Sequence, residues 1–177
     1  IETAYIHLKN ALQQNERYLP AKLLFVKVLI DRLHYESAEQ VLNDVIEQGV
    51  DNNLIVLPLG EIILSQGKFE QALTFADNME LENKGLLVYS HIKARAYIGL
   101  DNLEKAEAEY QSILTNKPNN LDALLGLATV YIYQKNSKKA KAQLIKANDI
   151  DSNNEILWQL KGHLARSDSQ FDDAITV

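Results

Sequence analysis

The chain contains no cysteine. That single absence excludes disulfides, thiolate nucleophiles and cysteine zinc sites together. It leaves the redox compartment open, because a cysteine-free chain suits either side of a membrane. Glycine and proline are also scarce, at 7 and 3 of 177 residues, below ordinary usage. Few helix breakers in a chain of this length favour helix throughout. No apolar run approaches the roughly 20 residues of a spanning helix, so direct membrane insertion is not expected, and no signal-peptide pattern is present. Basic residues are in the minority, 18 against 24 acidic, for a net charge of −6. No basic stripe exists to neutralise phosphates, which excludes nucleic acid as the expected partner. The apolar share is 46%, with enough leucine, isoleucine, valine and tyrosine to exclude disorder.

One alanine series organises what is present: Ala4, Ala38, Ala72, Ala106, Ala140 and Ala174, evenly spaced along the whole chain without slippage. Other positions keep the same register. Ala94 and Ala128 are followed by Gly162; Tyr97 recurs as Tyr131, Tyr110 as Leu144, Ile113 as Ala147 and Leu124 as Trp158. Asn119-Asn120 recurs as Asn153-Asn154. Within each copy, spacings such as Ala140, Leu144 and Ala147 follow the three-and-four rule of one apolar helix face. The small residue of a first helix and the alanine of a second stand where paired helices approach closest, and a larger side chain there would overpack the contact. Lys117-Pro118-Asn119-Asn120 and Asp151-Ser152-Asn153-Asn154 can each end one helix and cap the next.

A 34-residue helix–turn–helix period resembles the tetratricopeptide (TPR) repeat. The best copy runs Leu124, Leu127, Ala128, Tyr131, Ala140, Leu144 and Ala147. The resemblance covers essentially the whole chain and implies an all-α fold, an α–α superhelix (TPR solenoid). First helices are expected over about 19–33, 53–66, 87–100, 121–135 and 155–168, and second helices over about 1–14, 36–48, 69–81, 103–116, 137–149 and from 171 onward. The array divides as residues 1–18 (second helix of a truncated repeat), full repeats 19–52, 53–86, 87–120 and 121–154, and a truncated repeat 155–177. Neither end reads as a polar capping helix, so a piece of a longer array is expected. The stretch Asn78 to Lys84 departs most from the motif, and loose packing is expected there.

A narrower resemblance rests on Ile6-His7-Leu8-Lys9-Asn10-Ala11-Leu12-Gln13-Gln14, on Gly49-Val50-Asp51 leading to Leu57-Pro58-Leu59, and on Trp158-Gln159-Leu160-Lys161-Gly162. These segments look like the bacterial PEP-CTERM/exosortase system TPR-repeat lipoproteins. That resemblance implies a periplasmic, lipid-anchored scaffold in envelope or exopolysaccharide assembly; the alternative is a cytoplasmic one.

No catalytic or metal set emerges, and no cofactor is expected. His7, His34, His91 and His163 match no zinc-protease pattern and read as surface or groove histidines. Asp149, Asp151 and Asn153 begin like a calcium loop, but Asn154 and Leu160 stand where that loop requires Gly and Glu, so the segment reads as a capped turn. Gly60 and Gly67-Lys68 have the wrong gap for a phosphate loop. Trp158 occupies the motif's large position and is expected in the core.

The positions that the motif does not use for its own core lie on the first helices, which line the concave face of such arrays. Three series, again at the period, are Ile30, Leu64, Ile98, Ile132 and Arg166; Leu23, Leu57, His91, Leu125 and Gln159; and Lys27, Glu61, Arg95, Thr129 and His163. They form an aliphatic stripe beside mixed charges. Such a stripe can pack neighbouring repeats or dock an apolar partner segment. The expected partner-binding residues are His91, Arg95, Ile98, Leu125, Thr129, Ile132, Lys27 and Glu61. A carboxylate clamp would need Lys and Asn where Leu23, Leu57 and Leu125 stand. The sequence therefore points to a non-enzymatic scaffold for a protein or peptide segment. A structural spacer or self-assembly module, or an accessory domain of an enzyme outside this chain, is the alternative.

Overall fold

The computed structural model describes residues 1–78 and 86–175, with side chains described for all of these except 52, 53, 86 and 168–175. Ten helices occur in these residues, and no strand does. They are α1 (Glu2–Gln14), α2 (Leu19–Asp31), α3 (Tyr35–Glu47), α4 (Asn52–Ser65), α5 (Phe69–Asn78), α6 (Leu86–Gly99), α7 (Leu103–Asn116), α8 (Leu121–Tyr133), α9 (Ser137–Ile150) and α10 (Glu155–Ile175). The chain divides into two compact units, Ile1–Val88 and Tyr89–Val177. The Asn78 to Lys84 junction, where loose packing is expected, lies outside the described residues apart from Asn78 itself.

In the first unit α2 packs against α1, α3 and α4, and α4 packs against α3 and α5. Its core holds Val26, Leu29, Ala38, Leu42, Val45, Ile55 and Ile62. Ala38 and Ala72 are fully buried, as a close helix crossing requires. Ala4 is exposed although it is in phase with them; among the described residues α2 is the only helix that packs on α1. Lys22 is the one buried charge among the described residues, 4% exposed. Its ammonium meets the Asp44 carboxylate across the α2–α3 contact, which offsets the cost of burying it.

In the second unit α8 packs against α7, α9 and α10, and α9 against α10. Ala94, Ala106, Ala128, Ala140 and Ala147 are fully buried at the crossings, with Tyr110, Ile113, Leu124, Leu127 and Leu144 filling the space beside them.

The turns repeat as closely as the core. Leu33, Gly67, Asp101 and Lys135 all adopt left-handed backbone, with φ of 62, 71, 57 and 56°. They stand one period apart, each at the turn between the two helices of a pair. The capping is uneven. In the second unit Asn102, Asn120, Asn136 and Asn154 each accept a hydrogen bond from the backbone N–H three residues on, satisfying a helix-end donor. In the first unit Tyr18 and His34 occupy the same positions without a side-chain cap bond.

The last repeat departs from expectation. Where a turn near residue 170 should separate two helices, α10 runs unbroken from Glu155 to Ile175. The left-handed position of the series falls on Ser169 and the cap position on Gln170. The helix continues through both positions, whereas Leu33 and His34, which favour a break no more strongly, lie in the turn between α2 and α3. Two motif positions are thereby uncovered. Trp158, expected in the core, is 59% exposed, whereas its counterpart Leu124 is buried against a returning helix. Its indole N–H donates to the Ser152 carbonyl at 2.9 Å, and Lys161 stands over its ring. Gly162, expected at a close crossing, is likewise exposed with nothing near its missing β-carbon. The side chains of Phe171 and Ala174, the next members of the series, lie outside the described ones.

Candidate functional site

The non-core positions of the first helices in the second unit form two equivalent stripes. His91, Arg95 and Ile98 follow one another at helical spacing on α6, and Leu125, Thr129 and Ile132 do the same on α8. His91, Arg95, Ile98, Thr129 and Ile132 are all half-buried. Leu125 is only 4% exposed, so it contributes mainly to packing. The Thr129 hydroxyl donates to the Leu125 carbonyl at 2.9 Å, committing it within its own helix. The His91 ring meets the Tyr110 ring edge-on at 6.0 Å, which fixes it between α6 and α7. Lys27, exposed, and Glu61, half-buried, belong to the first unit, on α2 and α4. Of the two companion series on α4, Leu64 is buried and Leu57 is exposed.

A polar knot that the hydrophobic spacing gives no sign of lies on the second unit. Glu107 of α7 accepts hydrogen bonds from the Tyr131 hydroxyl at 2.9 Å, from Gln134 Nε2 at 3.1 Å and from Gln111 Nε2 at 3.0 Å. Lys139 of α9 reaches it at 3.5 Å and stands 4.8 Å over the Tyr131 ring. One carboxylate thus ties α7, α8 and α9. Partial burial pushes its pKa up, but the bonds from Gln134 and Tyr131 and the charge of Lys139 outweigh that and hold it below the ordinary value. Burial, and next its bond to Glu107, raise the Tyr131 hydroxyl. Burial also raises Tyr89, whose hydroxyl has no hydrogen-bond partner among the described residues. A simpler version of the knot recurs two periods earlier, where Gln66 donates to Glu39 at 3.3 Å. The signal available in sequence was this pairing of Glu and Gln at twice the period.

Among the described residues no cluster of three or more His, Asp or Glu could hold a metal ion, and no helix is long and apolar enough to cross a membrane.

Paired helices with small residues at their crossings, reset at every period, define a helical-repeat scaffold. Residues 98–164 match the tetratricopeptide repeat family. Three similar solved structures are of TPR proteins. TTC0263 of Thermus thermophilus, a thermophilic TPR protein, is 17% identical over 92% of this chain and 88% of its own, with a TM-score of 0.75. YrrB, a TPR protein with an unusual peptide-binding site, is 19% identical over 91% and 83%, with a TM-score of 0.56. A tetratricopeptide repeat protein from Parabacteroides merdae ATCC 43184 is 20% identical over 96% and 62%, with a TM-score of 0.56. No curated protein matches the chain. By its fold the chain is all-α, of the α–α superhelix class, and residues 98–164 are the part that matches the tetratricopeptide repeat. Such a fold supports a protein-interaction scaffold.

Proposed function

We propose that this chain holds a segment of a partner protein against the first-helix stripe of its second unit, with Ile98 and Ile132 supplying apolar contact and Arg95 and His91 setting register. The observation that carries the reading is a difference in exposure on single helices. Ala94 and Ala128 are fully buried, whereas Ile98 and Ile132, four residues on, keep part of their surface in water. Large aliphatic side chains that the core does not fully enclose favour contact with another chain. The peptide-binding site of the similar YrrB is in keeping with this use of the fold. Lys27 and Glu61 hold the register position of Arg95 within the first unit. The envelope setting implied by the narrower sequence resemblance belongs to the proposal, and fractionation of the native host tests it.

The test of the site is a substitution series on a partner captured by cross-linking from that host. Ile98→Gln with Ile132→Gln, and separately Arg95→Glu, should each lose the partner while helicity and melting temperature barely move. An early-melting double variant would assign the stripe to packing between repeats. Retention of the partner by both variants would place the interaction elsewhere.

A further inference from the structure

Three residues in mutual contact depart from the repeat together. The His91 ring of α6 meets the Tyr110 ring of α7 edge-on at 6.0 Å. The far side of the Tyr110 ring fills the place where Gly126 of α8 would carry a β-carbon. One period on, these three positions are Leu125, Leu144 and Leu160; one period back, they are Leu57, Ala76 and Ile92. Both of those sets are wholly apolar.

Packing accounts for two of the three departures. A tyrosine is longer than the leucine one period on, and a glycine opposite it returns the volume, so the core stays filled. Packing does not account for the imidazole. A leucine serves the same position at Leu125, where it is 4% exposed, whereas His91 keeps part of its surface in water. The exchange therefore sets a ring that can donate and accept hydrogen bonds on the first-helix face. Its edge contact with an aromatic partner fixes how that ring lies. Tyr110 itself is 1% exposed and is out of reach of any other chain, so it can affect binding only through the residues it holds.

We propose that His91 is the specificity-determining residue of the first-helix stripe. It selects a hydrogen-bonding side chain of the partner segment at a position where a leucine would offer apolar contact alone. Tyr110, seated in the space that Gly126 leaves, is its positioning residue. This rests on the reading of the stripe as a binding face.

The probe is a phage-displayed library of random peptides, selected on the whole chain and sorted for clones that the Ile98→Gln, Ile132→Gln variant no longer binds. The tightest such clone, made as a labelled peptide, should lose about tenfold in affinity on His91→Leu and much less on His91→Gln, which can again form a hydrogen bond. Tyr110→Leu, made together with Gly126→Ala to refill the vacated space, should cost a similar factor. Adding His91→Leu to that pair should cost nothing further, because the effect of Tyr110 passes through His91. Tyr110→Phe, which keeps the ring and the packing, should bind as the parent does. Affinity unchanged by His91→Leu would overturn the proposal, as would losses from His91 and Tyr110 that simply add. Clones that depend on Ile98 and Ile132 but ignore His91 would defeat this inference and leave the stripe standing. Recovery of no clone that depends on Ile98 and Ile132 would defeat the stripe reading, and this inference with it.

Discussion

A β-carbon placed on Gly126 would overlap the Tyr110 ring and stand 2.6 Å from its hydroxyl oxygen. The glycine of α8 is the space into which the tyrosine of α7 fits. The ring cannot swing clear, because Tyr110 is almost fully buried and packs edge-on against His91. Gly126→Ala should therefore destabilise the second unit by about 1–3 kcal/mol through overpacking, despite the better helix propensity of alanine. In a Tyr110→Leu background the same substitution should become neutral or stabilise by up to about 1 kcal/mol, the propensity gain alone. A denaturant double-mutant cycle measures the difference; additive effects would show that the two side chains do not compete for space.

Glu107 and Lys138 lie on neighbouring second helices and look alike in the sequence as polar positions. Lys138 is exposed, and Lys138→Ala should cost within about 0.5 kcal/mol. Glu107 is only 19% exposed in its side chain and joins three helices. Glu107→Ala should cost about 1–3 kcal/mol, because it leaves the Tyr131 hydroxyl and the Gln134 amide without their acceptor. Chemical denaturation of the two variants gives the comparison, and equal costs would refute the knot.

The pH dependence follows from the direction of the Glu107 shift. Its folded pKa lies below the ordinary value, so the unfolded chain takes up the proton first as pH falls. The stability it contributes is complete above the ordinary glutamate range, near pH 4.3, and is lost as pH falls through that value and the depressed one. Melting temperatures measured from pH 7 downward should fall less steeply for Glu107→Gln than for the parent chain. Parallel curves would show that the carboxylate carries no such linkage.

His34 has nearly the backbone conformation of its counterparts, with φ −90° and ψ 59° against −95° and 72° at Asn102 and −99° and 73° at Asn136. An asparagine there needs no backbone adjustment to accept from the N–H three residues on. His34→Asn should stabilise α3 by about 1 kcal/mol, and Asn136→Ala should cost α9 a similar amount. Hydrogen exchange at the first turns of α3 and α9 reads both changes directly. Unchanged protection in both variants would mean that the caps do not limit the opening of these helix ends.

Most of the fold was legible because it rests on one repeated distance. A buried alanine once per period fixes which helices cross and where, and an asparagine before an apolar run marks a helix start. The failures occur where a position's environment depends on a neighbour that the motif assumes. Trp158 and Gly162 keep the motif's chemistry but lack the returning helix, because α10 runs on past the position where the other helix pairs turn. Ala4 keeps the phase but lacks a helix across its face. The polar knot escaped for another reason: Glu107, Gln134 and Lys139 carry no hydrophobic signal, and the recurrence of Glu39 and Gln66 as Glu107 and Gln134 shows only when polar positions are set in phase. The stripe was visible as a set of positions. The near-complete burial of Leu125, set against the half-exposure of Ile98 and Ile132, was not, because periodicity names a face without saying how much of each side chain a neighbouring helix covers.

The left-handed turn residues have a consequence for how this gene can change length. Asp101 and Lys135 mark the same point of successive turns, and each is followed by an asparagine cap. Excising residues 102–135 would join Asp101 to Asn136 and leave the same sequence of turn, cap and helix at the seam. An excision one residue shorter or longer would rotate every downstream side chain by about 100° about its helix axis, setting charge against core. Growth and loss in this chain are therefore quantised: whole periods can be added or removed by a single recombination event, while a small in-frame slip inside a helix is lethal to the packing beyond it.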